Sequence, residues 1–419
     1  MDTEKLRTRS LATCSNPASP EVKERKSAGS RGRRASVAAA AKVRERIVKL
    51  IADVEAQDSA ACQAVNDVLD ARRGKTALHF CAERDEFAAV ASLLAVPAID
   101  ANARRTDGAT ALFSAAMHGS YDCVRLLLDS INVDVNAART LDGTTPLCIA
   151  AQQGHVDVVG LLLHQPGIKL NLSSNNGCSP LFIAAYKSRV KVVQMLLQCK
   201  NRGGFDGVLD VNKVEADGCS PLWIAADRGH TKIVEAIVCG PAAARVDVNR
   251  CDRVGRTPLF MAAFRGHADI VRMLFEFDGG VGCGDSVDGG AAQMVDPNMA
   301  RSTDGATPLY AASMLGYTDV VKTMLAFGNP PRDLFLNLPN HDGATPLGTA
   351  LAHGHEGIAA ILRRAGATEP VPGDEHPQKD RWDTRELGIL ALGAGSTRTF
   401  KTPSMMESDA EDMCQCTVQ

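Results

Sequence analysis

Aromatic side chains are scarce in this chain: Phe, Trp and Tyr make up 4% of its 419 residues. A core of large rings is excluded, so Ala, Leu, Val and Ile must supply the apolar interior. Long apolar runs are missing as well. No stretch reaches the roughly 18 consecutive apolar residues read as a membrane-spanning helix, so none is expected. The N-terminal MDTEKLRTRS is polar and lacks the apolar region of a secretory signal. None of the 13 cysteines forms a C-x-x-C pair, and their number is odd. No disulfide or zinc framework is expected, and the thiols suit a reducing compartment. A cytosolic or nuclear location follows as the default expectation, with the cytoplasm taken first.

Strong net charge is also absent. The formal balance is -3, but it is unevenly spread. Residues 1–36 hold nine Lys or Arg against four acids, and residues 366–419 hold five against ten. Both ends are rich in Ser, Pro, Gly and Thr. The expectation is a disordered basic tail over 1–36 and a disordered acidic tail over 367–419.

Between the tails one sentence is written repeatedly. DGTTPLCIAAQQGHVDVVGLLL (142–163) returns as DGCSPLWIAADRGHTKIVEAIV (217–238) and again in GATPLYAASMLGYTDVVKTML (305–325). Aligned on the leucine of T-P-L, the copies fall at Leu78, Leu112, Leu147, Leu181, Leu222, Leu259, Leu309 and Leu347. Thr145 is suited to cap a helix, and Pro146 fits its first turn, where a missing N–H costs nothing. Leu147, Ala150 and Ala151 make a small, flat buried face. Gly154 ends the helix, because glycine takes left-handed angles cheaply. Val156, Val159, Leu162 and Leu163 form the stripe of a second helix. An extended stretch ending in Asn follows, at Asn102, Asn136, Asn171, Asn212, Asn249, Asn298 and Asn337. Asp-Gly, as in Asp142-Gly143, Asp217-Gly218 and Asp342-Gly343, is turn chemistry that opens the next copy.

A period near 33 residues with T-P-L-x-x-A-A resembles the ankyrin repeat. The resemblance covers about residues 73–366 in eight copies. It implies an all-α solenoid of helix-turn-helix units joined by short hairpin-like turns. No unit buries its apolar side alone; stacking supplies the core. Some copies depart from the pattern. The first has Ala77 for Pro and Asp85 for the helix-ending Gly, the fourth has Ser188 there, and the last has Gly348 where others carry an aromatic. KNRGGFDG and DGGVGCGDSVDGGAAQ lengthen two connections and are expected to be mobile loops. Upstream, Val43, Ile47, Leu50, Ile51 and Val54 lie on one helical face, and ACQAVNDVLDA (61–71) reads as a second helix. The pair over 37–72 is expected to cap the stack; a separate partner-binding helix is the alternative.

Enzyme signatures are lacking. Gly74-Lys75-Thr76 has the end of a phosphate loop, but Leu69 stands where the earlier Gly is required. His353-Gly354-His355 hints at a metal, yet G-H also follows the first helix at His155, His230 and His267. No nucleophile-base set or carboxylate pair stands outside the repeats. The expectation is a non-catalytic protein with no cofactor, no metal and no small-molecule substrate. The basic tail lacks interleaved aromatics, so no nucleic-acid partner is expected.

In the family, partners lie on the concave face. The resemblance carries that role to the two positions before the helix-ending Gly. These are Met117 and His118, Gln152 and Gln153, Tyr186 and Lys187, Asp227 and Arg228, Phe264 and Arg265, and Met314 and Leu315. Aromatic and Arg side chains are the usual anchors of an interface, so copies four to seven are the candidate protein-binding groove. The alternative is that these side chains pack on neighbouring helices. The series Phe113, Phe182, Trp223, Phe260 and Tyr310 replaces the His of T-P-L-H and is expected in the core. In the tails, Arg33-Arg34-Ala35-Ser36 resembles a basophilic kinase target, with Ser36 placed to cap a helix starting near Val37. Cys416-Thr417-Val418-Gln419 matches the prenylation rule, and Cys414 is placed to carry a second acyl chain. The main expectation is a scaffold or adaptor; a prenylated, membrane-tethered regulatory protein is the alternative.

Overall fold

The computed structural model describes residues 42–368, apart from 44, 55, 59, 62–63, 131, 200–207, 278–293 and 328–333. Eight helix pairs follow one another. The first helices are Ala77–Glu83, Ala111–His118, Pro146–Gln153, Pro180–Tyr186, Pro221–Arg228, Pro258–Arg265, Pro308–Leu315 and Pro346–Ala352. The second helices are Phe87–Leu94, Tyr121–Asp129, Val156–Leu163, Val190–Gln198, Thr231–Val238, Ala268–Glu276, Thr318–Phe327 and Glu356–Arg364. First helices pack on first helices of adjacent repeats, and second helices on second helices. Helices this short are marginal alone, since isolated ones need about 12–15 residues. Their stability comes from the columns. In repeat three, Leu147, Ala150, Val159 and Leu162 are fully enclosed by their own and neighbouring repeats.

The ends of the first helices form as the sequence implies. Thr145 Oγ1 accepts from the backbone N–H of Cys148 at 3.2 Å, and Pro146 occupies the first turn. The same cap recurs at Thr110, Ser179, Ser220, Thr257, Thr307 and Thr345. Gly154 closes the helix at φ 87°. The two copies lacking that glycine keep the left-handed turn: Asp85 sits at φ 55° and Ser188 at φ 59°. Asp85 has a compensating role, because its Oδ1 accepts from the Cys123 N–H at 3.0 Å in the next repeat.

Three kinds of inter-repeat join run along the stack. At the turn tips, backbone N–H groups donate to the preceding tip: Leu141 to Asp107 at 3.1 Å, Asn175 to Asp142 at 2.8 Å, and His341 to Asp304 at 2.8 Å. At the far ends of the second helices the recurring Asn bridges two repeats. Asn171 Nδ2 donates to the Val208 carbonyl at 2.8 Å, while its Oδ1 accepts from the Asp210 N–H at 2.8 Å. Asn102, Asn136, Asn212 and Asn249 do the same. The third join is the core aromatic. Phe113, Phe182, Trp223, Phe260 and Tyr310 are all buried. Arginines of the next turn cover three of them: Arg139 over Phe113 at 5.0 Å, Arg256 over Trp223 at 5.4 Å and Arg301 over Phe260 at 5.6 Å. His79 of repeat one instead hydrogen-bonds the Ala109 carbonyl at 3.1 Å through Nε2.

Upstream, residues 42–43 and 45–54 are helical, with Ile47 and Val54 buried. The second expected helix, over 61–71, is corrected. Residues 60–61 are helical, Ala64–Asn66 is a 3-10 turn, and Val68–Asp70 (β1) pairs antiparallel with Lys75–Thr76 (β2). Asp70 draws the chain out of the helix: its Oδ1 accepts from the Arg72 N–H at 3.0 Å, making a local turn that competes with helix. Asn66 then joins the Asn ladder, its Nδ2 donating to the Ala98 carbonyl at 2.7 Å and its Oδ1 accepting from Asp100 N–H at 2.9 Å. KNRGGFDG and the Gly-rich stretch lie outside the described residues.

Candidate functional site

The twelve candidate residues sit at the C-terminal ends of six first helices. His118 is exposed, and the other eleven are half-buried. A side chain of the next repeat bonds the helix-end carbonyl in several copies. His155 Nε2 hydrogen-bonds the Met117 carbonyl at 3.1 Å, Arg189 Nε donates to the Gln152 carbonyl at 3.0 Å, and His355 Nε2 hydrogen-bonds the Met314 carbonyl at 3.1 Å. These side chains lie over the helix-ending glycines. A Cβ at Gly119 would fall 2.6 Å from His155 Nδ1, and one at Gly154 would fall 2.7 Å from Arg189 Cδ. The glycine therefore serves two purposes: a left-handed turn and room for the bridging ring or guanidinium.

The side chains divide by repeat. His118 turns back to its own helix, Nδ1 meeting the Ser114 carbonyl at 2.8 Å. Met117, Tyr186, Phe264 and Met314 pack partly on the core. Phe264 stacks on Phe260 at 6.0 Å. Between repeats four and six the candidates contact each other. The Arg228 guanidinium lies 4.6 Å from the Tyr186 ring centroid. Asp227 Oδ1 accepts from Arg265 Nε at 2.9 Å across the repeat boundary. Lys187 Nζ is 5.3 Å from the Tyr186 ring. Burial, then Arg189 and Arg228, lower the Lys187 pKa. Burial also lowers His230, opposed by its bond to the Tyr186 carbonyl and reinforced by Arg228. The sequence reading did not single out Arg189; only the geometry places it over Gly154 beside Lys187.

The rejected enzyme motifs have structural roles. Lys75 Nζ bonds Glu83 Oε2 at 2.7 Å inside repeat one, which also receives Arg105 NH1 on Oε1 at 3.0 Å. His353 Nδ1 is on the Thr349 carbonyl at 2.9 Å, and His355 on Met314. Burial pushes the Cys81 thiol up to about 12 and the Cys148 thiol up to about 11, so neither is a thiolate at neutral pH. Among the described residues, no three His, Cys, Asp or Glu group as metal ligands, and no helix is long and apolar enough to cross a membrane. Ser36, Cys414 and Cys416 lie outside the described residues.

A sequence model of the family described as ankyrin repeats (3 copies) matches residues 35–139, 131–208, 203–285 and 287–370. The chain belongs to the ankyrin-repeat family. No curated protein matches it. Ankyrin repeats are generally protein–protein interaction modules, and proteins built from them are typically non-catalytic binders. The match begins at residue 35. With Asn66 in the ladder, the segment before Gly74 shares the ankyrin joins.

Proposed function

We propose that this ankyrin-repeat protein is a non-catalytic adaptor that holds a protein partner on its concave side. The binding groove lies at the first-helix ends of repeats four to seven. One observation carries this reading. Tyr186 and Phe264 are large half-buried rings, each with an arginine against it: Arg228 at 4.6 Å from one and Arg265 at 5.8 Å from the other. Aromatic and Arg groups on a rigid surface are the side chains that most often dominate interface energy. Fixed contacts along the stack also reduce the entropy lost on binding. Met314 and Leu315 extend the face with apolar area into repeat seven.

Partner capture by the full chain, followed by titration of the purified partner, tests the groove. Tyr186→Ala with Phe264→Ala should weaken binding at least tenfold; undiminished binding would place the partner elsewhere. A second reading has Cys416 prenylated and Cys414 acylated, which would bring the same groove to a membrane from the cytoplasmic side. It rests on Cys416-Thr417-Val418-Gln419. Cys416→Ser should then shift the protein to the soluble fraction. A soluble unsubstituted chain in cells would remove that reading.

A further inference from the structure

Repeats four to six carry an excess of positive charge at their first-helix ends. Lys187, Arg189, Arg228 and Arg265 stand there with a single carboxylate, Asp227, which pairs with Arg228 and Arg265. In repeats two, three and seven the corresponding positions carry no acid or strong base: Met117 and His118, Gln152 and Gln153, Met314 and Leu315. Asp227 is already engaged, with Oδ1 at 2.9 Å from Arg265 Nε and Oδ2 at 3.9 Å from Arg228 Nε. Arg228 Nε is shielded from solvent yet donates no hydrogen bond. Four cations against one carboxylate leave the patch net cationic, inside a chain whose net charge is -3.

Spacing narrows the ligand. Successive helices pack about 8–10 Å apart, so cations on adjacent repeats recur at about that interval. An extended peptide in the polyproline II conformation advances about 3.1 Å per residue and returns to the same face every three residues. An acid at every third position therefore returns in step with the repeats. The charged helix ends span three repeats, so a short acidic segment matches the patch in extent.

We propose that repeats four to six recognise an extended acidic peptide segment of a partner protein, through Lys187, Arg228 and Arg265. This assignment rests on the groove reading above and adds the chemistry of its occupant. Tyr186 contributes by fixing Arg228 in place. Complementary charge also speeds encounter and makes the affinity fall as salt rises.

The test uses the full chain and fluorescence anisotropy. One labelled probe peptide carries Glu at every third residue, and its counterpart carries Gln there. The Glu peptide should bind at least tenfold tighter, and the preference should shrink as salt is raised. Lys187→Gln with Arg228→Gln should remove the preference, while Lys187→Arg should retain it. Equal binding of the two peptides by the unsubstituted chain would overturn the proposal without any variant. So would an unchanged preference in a double variant whose circular dichroism is normal. Phosphatidylserine vesicles or a DNA oligomer binding more tightly through the same two cations would also overturn it. Loss of the captured partner on Tyr186→Ala with Phe264→Ala, but not on Lys187→Gln with Arg228→Gln, would keep the groove and reject its acidic occupant. Retention in both would reject the groove itself.

Discussion

Arg139 is the most demanding join in the stack, and Arg139→Met tests it. Its side chain is 2% exposed. Nε donates to Asp142 Oδ1 at 3.0 Å, NH2 donates to Asp142 Oδ2, NH1 lies 3.8 Å from Asp107 Oδ2, and the guanidinium covers Phe113. Methionine restores most of the volume but leaves Asp142 enclosed without its cation. Removing one member of a buried pair costs about 3–5 kcal/mol. Asp142 keeps the Thr144 N–H at 3.1 Å, and Asp107 keeps Arg105 at 2.6 Å. The low end, about 3 kcal/mol, is therefore expected at pH 7. Urea unfolding followed by circular dichroism measures it. The pH dependence has a definite sign. Burial raises the Asp142 carboxyl, but Arg139 and Thr144 more than offset it. Burial of Asp107 is likewise outweighed by Arg105, the Ala109 N–H and Arg139. Both carboxyls end below the ordinary 3.8. Their stabilisation is present above that value and lost as pH falls through the depressed ones. The gap between Arg139→Met and the unsubstituted chain should narrow below about pH 4. Equal stability at pH 7, or a gap that keeps its size in acid, would refute the ion-pair assignment.

Other expectations follow from the joins. Ser188→Gly should stabilise by about 0.5–1 kcal/mol, since Ser188 holds φ 59° without need of its Cβ; a loss in thermal unfolding would contradict this. Gly119→Ala should cost clearly more than Gly354→Ala. Both have left-handed φ, but only the first meets His155, whereas nothing lies within 4 Å of a Cβ at Gly354. Equal unfolding midpoints would mean that the histidine yields freely. Asn171→Ala removes two inter-repeat hydrogen bonds and should cost about 1–2 kcal/mol, with amide exchange at Asp210 accelerating first.

The repeat was legible because its physics is local. Thr145, Pro146 and Gly154 cap, start and end one helix within ten positions, and all three act as the sequence implies. The Asn positions were legible as a period, but not their bonds: Asn171 bridges to residues 37 and 39 positions away. Arg139, Arg256 and Arg301 escaped notice for the same reason, because the rings they cover lie in the preceding repeat. Strand β1 was misread because VLD fits a helical stripe; the Asp70 turn and its pairing with Lys75–Thr76 decided otherwise. Tyr186 and Phe264 were legible as large side chains at outward positions. Their contacts with Arg228 and Arg265, and the bond from Arg265 to Asp227, required the structure.

Stacking is the source of stability throughout, and circular dichroism of nested fragments measures it most directly. A fragment holding only repeat three should show little helix, while fragments adding repeats two and four, then one and five, should become helical and unfold at rising urea. A lone repeat three that folds cooperatively would contradict the dependence of each helix pair on its neighbours.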